Sequence, residues 1–237
     1  MCLPVQSVKQ LFMKKLLLLV FFLCTACDNE RIVQLPKINS TEINEVTDVS
    51  AVYIFYDETE QDSVLFNRKI LIGTTNWLVN VDKRLALKKV LPHLNYLQNK
   101  RSSGGMHKNE LARNYFTCNN LDTKNLGFID FTDTQFRILD HFPTTKDTAS
   151  YHLVFKESEY LKLNQDGGFV SYKTAALFHL IDSLQTLHSN DLNLFPVFHD
   201  GLSFQNYITV KELLINCRDS KGISMDEELF LNLNSLN

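Results

Sequence analysis

The fold is decided by the stretch Leu194-Phe-Pro-Val-Phe-His-Asp-Gly-Leu-Ser-Phe-Gln-Asn-Tyr207, which holds a strand, a turn and the start of a helix. The apolar run at residues 194–198 predicts a buried strand. Asp200 and Gly201 predict a turn, and Ser203 is suited to cap the helix that follows. The apolar face of that helix comprises Tyr207, Val210, Leu214 and Cys217. This order is typical of a sheet covered by helices.

The residues before this stretch add a strand pair and another helix. Residues 151–155 and 160–163 are rich in β-forming side chains and predict two paired strands, followed by a turn at Asp166-Gly167-Gly168. Apolar residues then recur at helical spacing, which predicts an amphipathic helix. They are Tyr172, Ala176, Leu177, Leu180, Ile181, Leu184 and Leu187.

The whole order, from the strand pair at residue 151 to Gly222, resembles the periplasmic domain of ExbD/TolR proteins. Those proteins are envelope subunits that work with proton-driven motor complexes. The resemblance covers about a third of the chain and lies in the layout of elements, without a diagnostic motif. It implies a shared fold and a role as an accessory subunit of an energised envelope transport complex. The chain departs from that family at its N-terminus, where the family has a membrane-spanning helix with a functional Asp.

The first half of the chain shows the same mixture of elements. β-rich runs at residues 51–56, 64–66, 69–72, 77–81 and 126–131 predict strands. Apolar residues at helical spacing from Leu87 predict a helix that Pro92 kinks or interrupts, and residues 107–116 predict a shorter helix. A polar stretch at residues 143–149 marks a boundary. We therefore expect an α+β fold with small mixed sheets and helices packed on one face, in two αβ units at residues 50–147 and 148–237.

Parts of the two halves match each other in sequence. Trp77, Val79 and Asp82 align with Phe195, Val197 and Asp200, and the match continues along the following helix if one residue is skipped. Two explanations stay open. Any two strand-turn-helix segments share much of this pattern, and a duplication would also produce it.

The N-terminal stretch Met13-Lys-Lys-Leu-Leu-Leu-Leu-Val-Phe-Phe-Leu-Cys-Thr-Ala-Cys27 has the parts of an export signal. Two lysines precede an apolar segment of eight residues, and small residues precede Cys27. The apolar segment is too short to span a bilayer. The arrangement resembles the lipobox of bacterial lipoprotein precursors, which implies cleavage after residue 26 and lipidation of Cys27. We expect Met13 to be the true start and residues 27–49, which are polar and aperiodic, to form a flexible tether.

Composition limits the function of the processed chain. Removing residues 1–26 leaves 211 residues and takes away three lysines and no acid, so 21 Lys and Arg face 27 Asp and Glu, a formal charge of about −6. This balance argues against nucleic acid or an anionic lipid surface as partner. The sequence contains no GxSxG, P-loop, GxGxxG, HExxH or EF-hand motif, and no cofactor is expected. Cys118 and Cys217 predict either one disulfide or two buried thiols.

Two groups of residues could carry chemistry. On the helix predicted at residues 107–116, His107 and Glu110 would share a face, which suits a metal site extended by Cys118. The alternative is a solvated helix start with Glu110 near its positive end. His199 and Asp200 follow a strand, where ligands often bind in α/β folds. The alternative is that Asp200 caps a turn and that His199 is exposed on it.

Together these features predict a lipid-anchored protein of the bacterial cell envelope, facing the periplasm or the outer surface. Its predicted role is non-catalytic binding or scaffolding of an envelope protein partner. One alternative is the ExbD/TolR-like accessory subunit. Another is a metal-dependent or hydrolytic envelope enzyme that uses the region of His107.

Overall fold

The computed structural model describes residues 31–60, 62–103, 109–143, 149–165, 168–188, 192–221 and 227–231. Residues 33–237 form one compact unit. Its described part contains two mixed sheets of six strands each and three α-helices, which confirms the predicted α+β class. The helices are α1 (Leu87–Ser102), α2 (Leu177–His188) and α3 (Phe204–Lys221).

The first sheet contains β1 (Lys37–Ile38), β2 (Val49–Tyr56), β3 (Val64–Asn67), β4 (Asn76–Val81), β5 (Asn114–Asn120) and β6 (Leu126–Asp130). Strands β2, β4, β5 and β1 run parallel to one another, while β3 and β6 are antiparallel to β2 and β5. One edge of β5 pairs with β6, and β4 and β1 divide the other edge between them.

The second sheet contains β7 (Gln135–Leu139), β8 (Ser150–Phe155), β9 (Tyr160–Gln165), β10 (Gly168–Lys173), β11 (Asn193–His199) and β12 (Glu227–Leu231). Its order is β10-β9-β8-β11-β12-β7, and the last four strands are parallel. Strand β7 lies in the predicted first αβ unit by sequence but pairs in the second sheet. The chain therefore crosses between sheets after β6.

Each sheet contains a strand-helix-strand segment of the same geometry. We name β4–α1–β5 the first βα unit and β11–α3–β12 the second βα unit. In the first, Asn76 pairs with Val49, and in the second Asn193 pairs with Ser150 in the same parallel register. A residue of the first unit therefore corresponds to the residue 117 positions later in the second. No one-residue gap is needed, so Asp82 corresponds to His199 and not to Asp200.

The two βα units meet at the corresponding residues Ala86 and Ser203, which form an antiparallel bridge. The amide of Leu87 donates to the carbonyl of Leu202 at 2.8 Å, and the amide of Phe204 donates to the carbonyl of Leu85 at 2.7 Å. These hydrogen bonds exchange corresponding positions, as a local two-fold axis requires. The duplication that the sequence left open therefore gains a structural basis.

One hydrophobic core joins both sheets and all three helices. Its largest fully buried side chains include Trp77, Phe116, Phe131, Phe155, Phe198, Phe204, Tyr207 and Phe230. Phe116 of the first sheet stacks on Phe131 and meets Phe204 and Tyr207 of α3 edge-on. Burial of this aromatic surface stabilises the contact between the first sheet and α3.

Several local predictions differ from the structure. Residues 109–116 do not form a helix, because Asn114 begins β5 and the residues before it form a turn. Residues 69–72 form turns and irregular structure where a strand was predicted. Residues 34–43, predicted as tether, are bound to the body and bury Pro36 and Ile38. Tyr172, predicted on a helix, lies on β10, and α1 includes Pro92 without an interruption. For residues 114–116, Tyr172 and the N-terminal stretch, pairing with other strands overrides a weak local preference.

Candidate binding site

Helix α3 supplies two residues of the candidate site, and its start was predicted correctly from the sequence. The amide of Asn206 donates a hydrogen bond to Ser203 Oγ at 3.2 Å, which confirms Ser203 as the N-cap. Tyr207 and Lys211 lie four residues apart and therefore share one face of α3. That face meets strand β12, where Glu228 points toward the helix.

Tyr207, Lys211 and Glu228 form a hydrogen-bonded group that we name the polar triad. Tyr207 Oη donates to Glu228 Oε2 at 2.7 Å, and Lys211 Nζ donates to Glu228 Oε1 at 2.5 Å. Lys211 and Glu228 are only 5% and 3% exposed. A buried ion pair of this kind contributes little net stability, because desolvation offsets the attraction between the charges.

Tyr207 acts in the triad as a hydrogen-bond donor. Full burial raises the pKa of its hydroxyl well above the usual value of 10, and the charge and hydrogen bond of Glu228 raise it further. The hydroxyl therefore keeps its proton at physiological pH. A general base needs a pKa near the working pH, so Tyr207 is unsuited to that role.

Lys211 and Glu228 of the polar triad line a cleft of about 580 Å³. One wall is formed by β6 and the residues that follow it, the other by α3, and residues 40–43 also line the cleft. Arg113, Asp130 and Asp133 belong to the wall that includes β6. The cleft thus offers charges of both signs beside apolar surface, as sites for polar ligands or protein segments do.

Arg113 forms ion pairs with two carboxylates on the cleft wall that includes β6. Its Nε lies 2.7 Å from Asp130 Oδ2, and its terminal nitrogen lies 2.8 Å from Asp133 Oδ2. The side chain of Asp133 is 76% exposed, while that of Asp130 is only 24% exposed. Because these pairs are open to solvent they add little stability, but they hold Arg113 in place at the cleft.

The corresponding positions of the first βα unit are all apolar. Tyr207 corresponds to Val90 and Lys211 to Leu94. Val79 corresponds to Pro196 and pairs with Phe116. Because Val197 pairs with Leu229, Pro196 lies opposite Glu228. The position of Glu228 therefore corresponds to that of Phe116. Val90, Leu94 and Phe116 are at most 1% exposed. The same backbone is therefore packed once with an apolar group and once with the polar triad, so the fold alone does not require the charges.

The sequence analysis did not identify Lys211 or Glu228 as site residues. A signal for Lys211 was present, because it lies four residues after Tyr207 and three before Leu214, on the face of α3 predicted to be buried. A charged residue on such a face needs a buried partner. The partner Glu228 lies on β12, a strand that the sequence analysis did not predict.

The predicted pair His199 and Asp200 lies outside the cleft, at the end of β11. His199 Nδ1 is 3.9 Å from Asp200 Oδ1 and accepts a hydrogen bond from the amide of Gly201 at 3.4 Å. Burial lowers the pKa of His199, although Asp200 opposes that shift. The imidazole is 7% exposed. Asp200 and Gly201 lie in a turn as predicted, but His199 is buried beside it and not exposed on it.

The predicted metal site is not assembled by the described residues. His107 lies outside the described residues, Glu110 is an exposed residue of a turn, and Cys118 is fully buried on β5. Cys27, the predicted lipidation site, also lies outside the described residues. Among the described residues, no group of three or more His, Cys, Asp or Glu side chains could hold a metal ion. The helical spacing that suggested the site is absent because residues 109–113 form a turn before β5.

Cys118 and Cys217 are two buried thiols, not joined by a disulfide. Burial raises the pKa of the Cys118 thiol far above its usual value, and the nearby charge of Glu212 adds to this. Such a thiol is unreactive while the protein is folded.

Comparisons with protein-family models, with curated proteins and with solved structures found no match. Among the described residues, no helix is long and apolar enough to cross a membrane. The function is therefore inferred from the residues and geometry of this chain.

Proposed function

We propose that this protein is a non-catalytic binding protein of the bacterial cell envelope, anchored by lipid on Cys27, that holds a protein partner in the cleft above the polar triad. The lipid anchor is supported by the lipobox-like sequence that ends at Cys27. The binding role is supported above all by the difference between the βα units. A buried ion pair stands at the cleft where the corresponding positions are apolar and equally well buried.

The polar triad favours binding over catalysis. Tyr207 stays protonated, and both oxygens of Glu228 already accept hydrogen bonds. Lys211 has three N–H donors, of which one is given to Glu228. A carbonyl or carboxylate oxygen of a bound segment could accept another, while Arg113 and its carboxylate partners recognise polar groups at the mouth. The expected partner is therefore a polar, oxygen-bearing segment of an envelope protein.

A second candidate is an accessory subunit of an energised envelope complex, as the resemblance to ExbD/TolR proteins implies. It is supported by the order of the second sheet's elements, in which a strand pair, α2, β11 and α3 follow one another. That layout coincides with the residues on which the resemblance rests.

The binding proposal is tested by photo-crosslinking in native membranes. A crosslinker at Thr134, on the cleft wall, should capture a partner, and Lys211→Met/Glu228→Leu should abolish the crosslink. Arg137→Met/Glu227→Leu is a matched control, because it removes a neighbouring ion pair that is exposed to solvent. Capture that survives the loss of Lys211 and Glu228, or that the control also abolishes, would contradict a role for the polar triad.

The lipid anchor is tested separately. Cys27→Ser should no longer take up labelled palmitate and should lose tight membrane association, since each buried CH₂ of the chains contributes about 0.8 kcal/mol. Unchanged labelling would exclude Cys27 as the anchor without affecting the cleft.

A further inference from the structure

The N-terminal segment, defined as residues 34–43, is held by the body through its backbone. The amide of Gln34 donates to Asp82 Oδ2 at 3.1 Å. The amide of Lys37 donates to Gln205 Oε1 at 2.8 Å, and the carbonyl of Lys37 accepts from Gln205 Nε2 at 3.0 Å. These contacts would hold any residue that has a backbone amide at the same positions.

Glu212 provides a third contact of this kind. Its Oε1 accepts from the amides of Asn39 and Ser40 at 2.8 and 3.1 Å. Glu212 is only 9% exposed. Three side chains of the body, Asp82, Gln205 and Glu212, are thus directed at the main chain of one short extended segment, which is how peptide-binding grooves obtain affinity independent of sequence.

Side-chain recognition in this groove is limited to few positions. Ile38 is 1% exposed and pairs through β1 with the edge of β5. Gly127 leaves the room that this packing needs, because a Cβ there would lie 2.6 Å from Thr41 Cγ2 and 3.1 Å from Ile38 Cδ1. Pro36 is also buried, and the other side chains of the segment are partly or fully exposed. The groove therefore selects a main chain with two apolar anchors, at the positions of Pro36 and Ile38.

The regular pairing of this segment is short. Strand β1 has two residues, and most remaining contacts are single hydrogen bonds from side chains or loops. Segments with few buried side chains and little regular pairing open at lower free energy than the core. Release of the segment would break the pairing of β1 with β5 and the bridge between Ile43 and Phe128, and it would leave the pairing among the other strands unchanged.

We infer that this groove is a peptide-binding site and that the N-terminal segment is its displaceable resident. The occupant it would accept from outside is an extended segment of another protein that carries an aliphatic residue at the Ile38 position and backbone amides at the positions of Lys37, Asn39 and Ser40. Such a segment would add as a parallel strand to the edge of β5. The inference depends neither on lipidation of Cys27 nor on the polar triad.

The test uses the mature chain with Cys27→Ser and a fluorescent synthetic peptide of residues 33–44, VQLPKINSTEIN. Ile38→Asp in the protein should release the resident segment and raise peptide affinity at least tenfold over the parent. Glu212→Ala in the released protein should lower affinity at least tenfold, while Glu157→Ala, an exposed glutamate on the turn after β8, should leave it unchanged. A peptide methylated on the Lys37 amide should bind at least tenfold more weakly, because the donor to Gln205 is lost.

A second variant protects the test against a folding defect. Lys37→Pro removes the same amide from the protein without placing a charge in the core, and it should also increase peptide binding. If neither variant binds the peptide while circular dichroism shows both folded, the groove is not a peptide site. If the parent protein instead forms dimers that exchange segments, measured as a doubled mass by light scattering, the occupant is a second copy and the inference is overturned.

Discussion

The first and second βα units share a backbone and differ in what they bury. Burial is nearly the same along both, from Asn76 and Asn193 to the middle of each helix. Yet Val90, Leu94 and Phe116 in the first unit correspond to Tyr207, Lys211 and Glu228 in the second. The same backbone therefore accommodates either an apolar group or the polar triad. The backbone does not determine which side chains occupy these positions. Of the charged set, Lys211 and Glu228 line the cleft.

The largest expected effect follows from breaking the polar triad on one side. Glu228→Leu leaves the Lys211 ammonium and the Tyr207 hydroxyl buried without their acceptor, which should lower the free energy of unfolding by about 3–5 kcal/mol. Urea unfolding followed by fluorescence measures this. Glu227→Leu, one residue earlier and part of an exposed ion pair, should change it by less than about 1 kcal/mol. Equal losses in both variants would show that the burial of the triad has no energetic consequence.

A smaller effect on stability is expected at the corresponding positions Arg101 and Arg218, because one arginine is buried and the other is exposed. Arg101 is buried, stacks 3.7 Å above the Trp77 ring and donates to Asn114 Oδ1 and to carbonyls that include that of Thr75. Its counterpart Arg218 is exposed at the cleft. Arg101→Met should therefore lower the free energy of unfolding by more than about 2 kcal/mol.

Arg218→Met serves as the matched variant and should change stability by less than about 0.5 kcal/mol. Both values come from the same urea titration. Similar losses in the two variants would contradict the different roles assigned to these arginines.

The smallest effect concerns the corresponding residues Asp82 and His199 and depends on pH. Burial acts to raise the pKa of Asp82, but hydrogen bonds from Arg84 and the Gln34 amide outweigh it and hold that pKa below the usual 3.8. Its stabilising contribution is therefore present above pH 3.8 and lost as pH falls through the folded pKa. Burial lowers the pKa of His199 below the usual 6.5. The neutral imidazole is thus favoured in the folded state, and stability is lost as pH falls below 6.5.

Melting temperatures between about pH 7 and pH 3 should separate these two residues. His199→Gln should reduce the loss of stability just below pH 6.5, leaving a remainder to His93 and His152, whose pKa values burial also lowers. Asp82→Asn should lower the melting temperature by a constant amount from pH 7 to about pH 4, and its difference from the parent should shrink only below about pH 4. A difference from the parent that varies with pH near pH 6 would contradict this assignment.

Many of the strands and helices were predictable from the sequence, because long periodic runs of apolar residues specify them. Strands β2, β4, β8 and β11 and all three described helices were expected near their observed positions. Strands β1, β5, β7, β10 and β12 were not expected, and of these β1, β7 and β12 pair only with strands that are distant in the sequence. The repeat was found with a false gap, because aligning Asp82 with Asp200 favoured identical residues over the backbone register that pairs Asp82 with His199.

The candidate site was less accessible to sequence reasoning. Motif spacing pointed to His107 with Glu110 and to His199 with Asp200, whereas the polar triad joins a helix residue to a strand residue 17 positions away. Burial of a lysine and a glutamate is set by the meeting of two sheets, and local patterns do not encode it. Only the comparison of the two βα units shows that these charges are exceptional.

The central claim, that the polar triad serves the cleft and not the fold, is tested most directly by replacing the whole triad. Tyr207→Phe/Lys211→Leu/Glu228→Leu gives the second βα unit an apolar set, as the first already has. Its free energy of unfolding in urea should equal or exceed that of the parent, because an apolar set of similar volume avoids the desolvation of two charges. A loss as large as that of Glu228→Leu alone would contradict the claim and assign the triad to the fold.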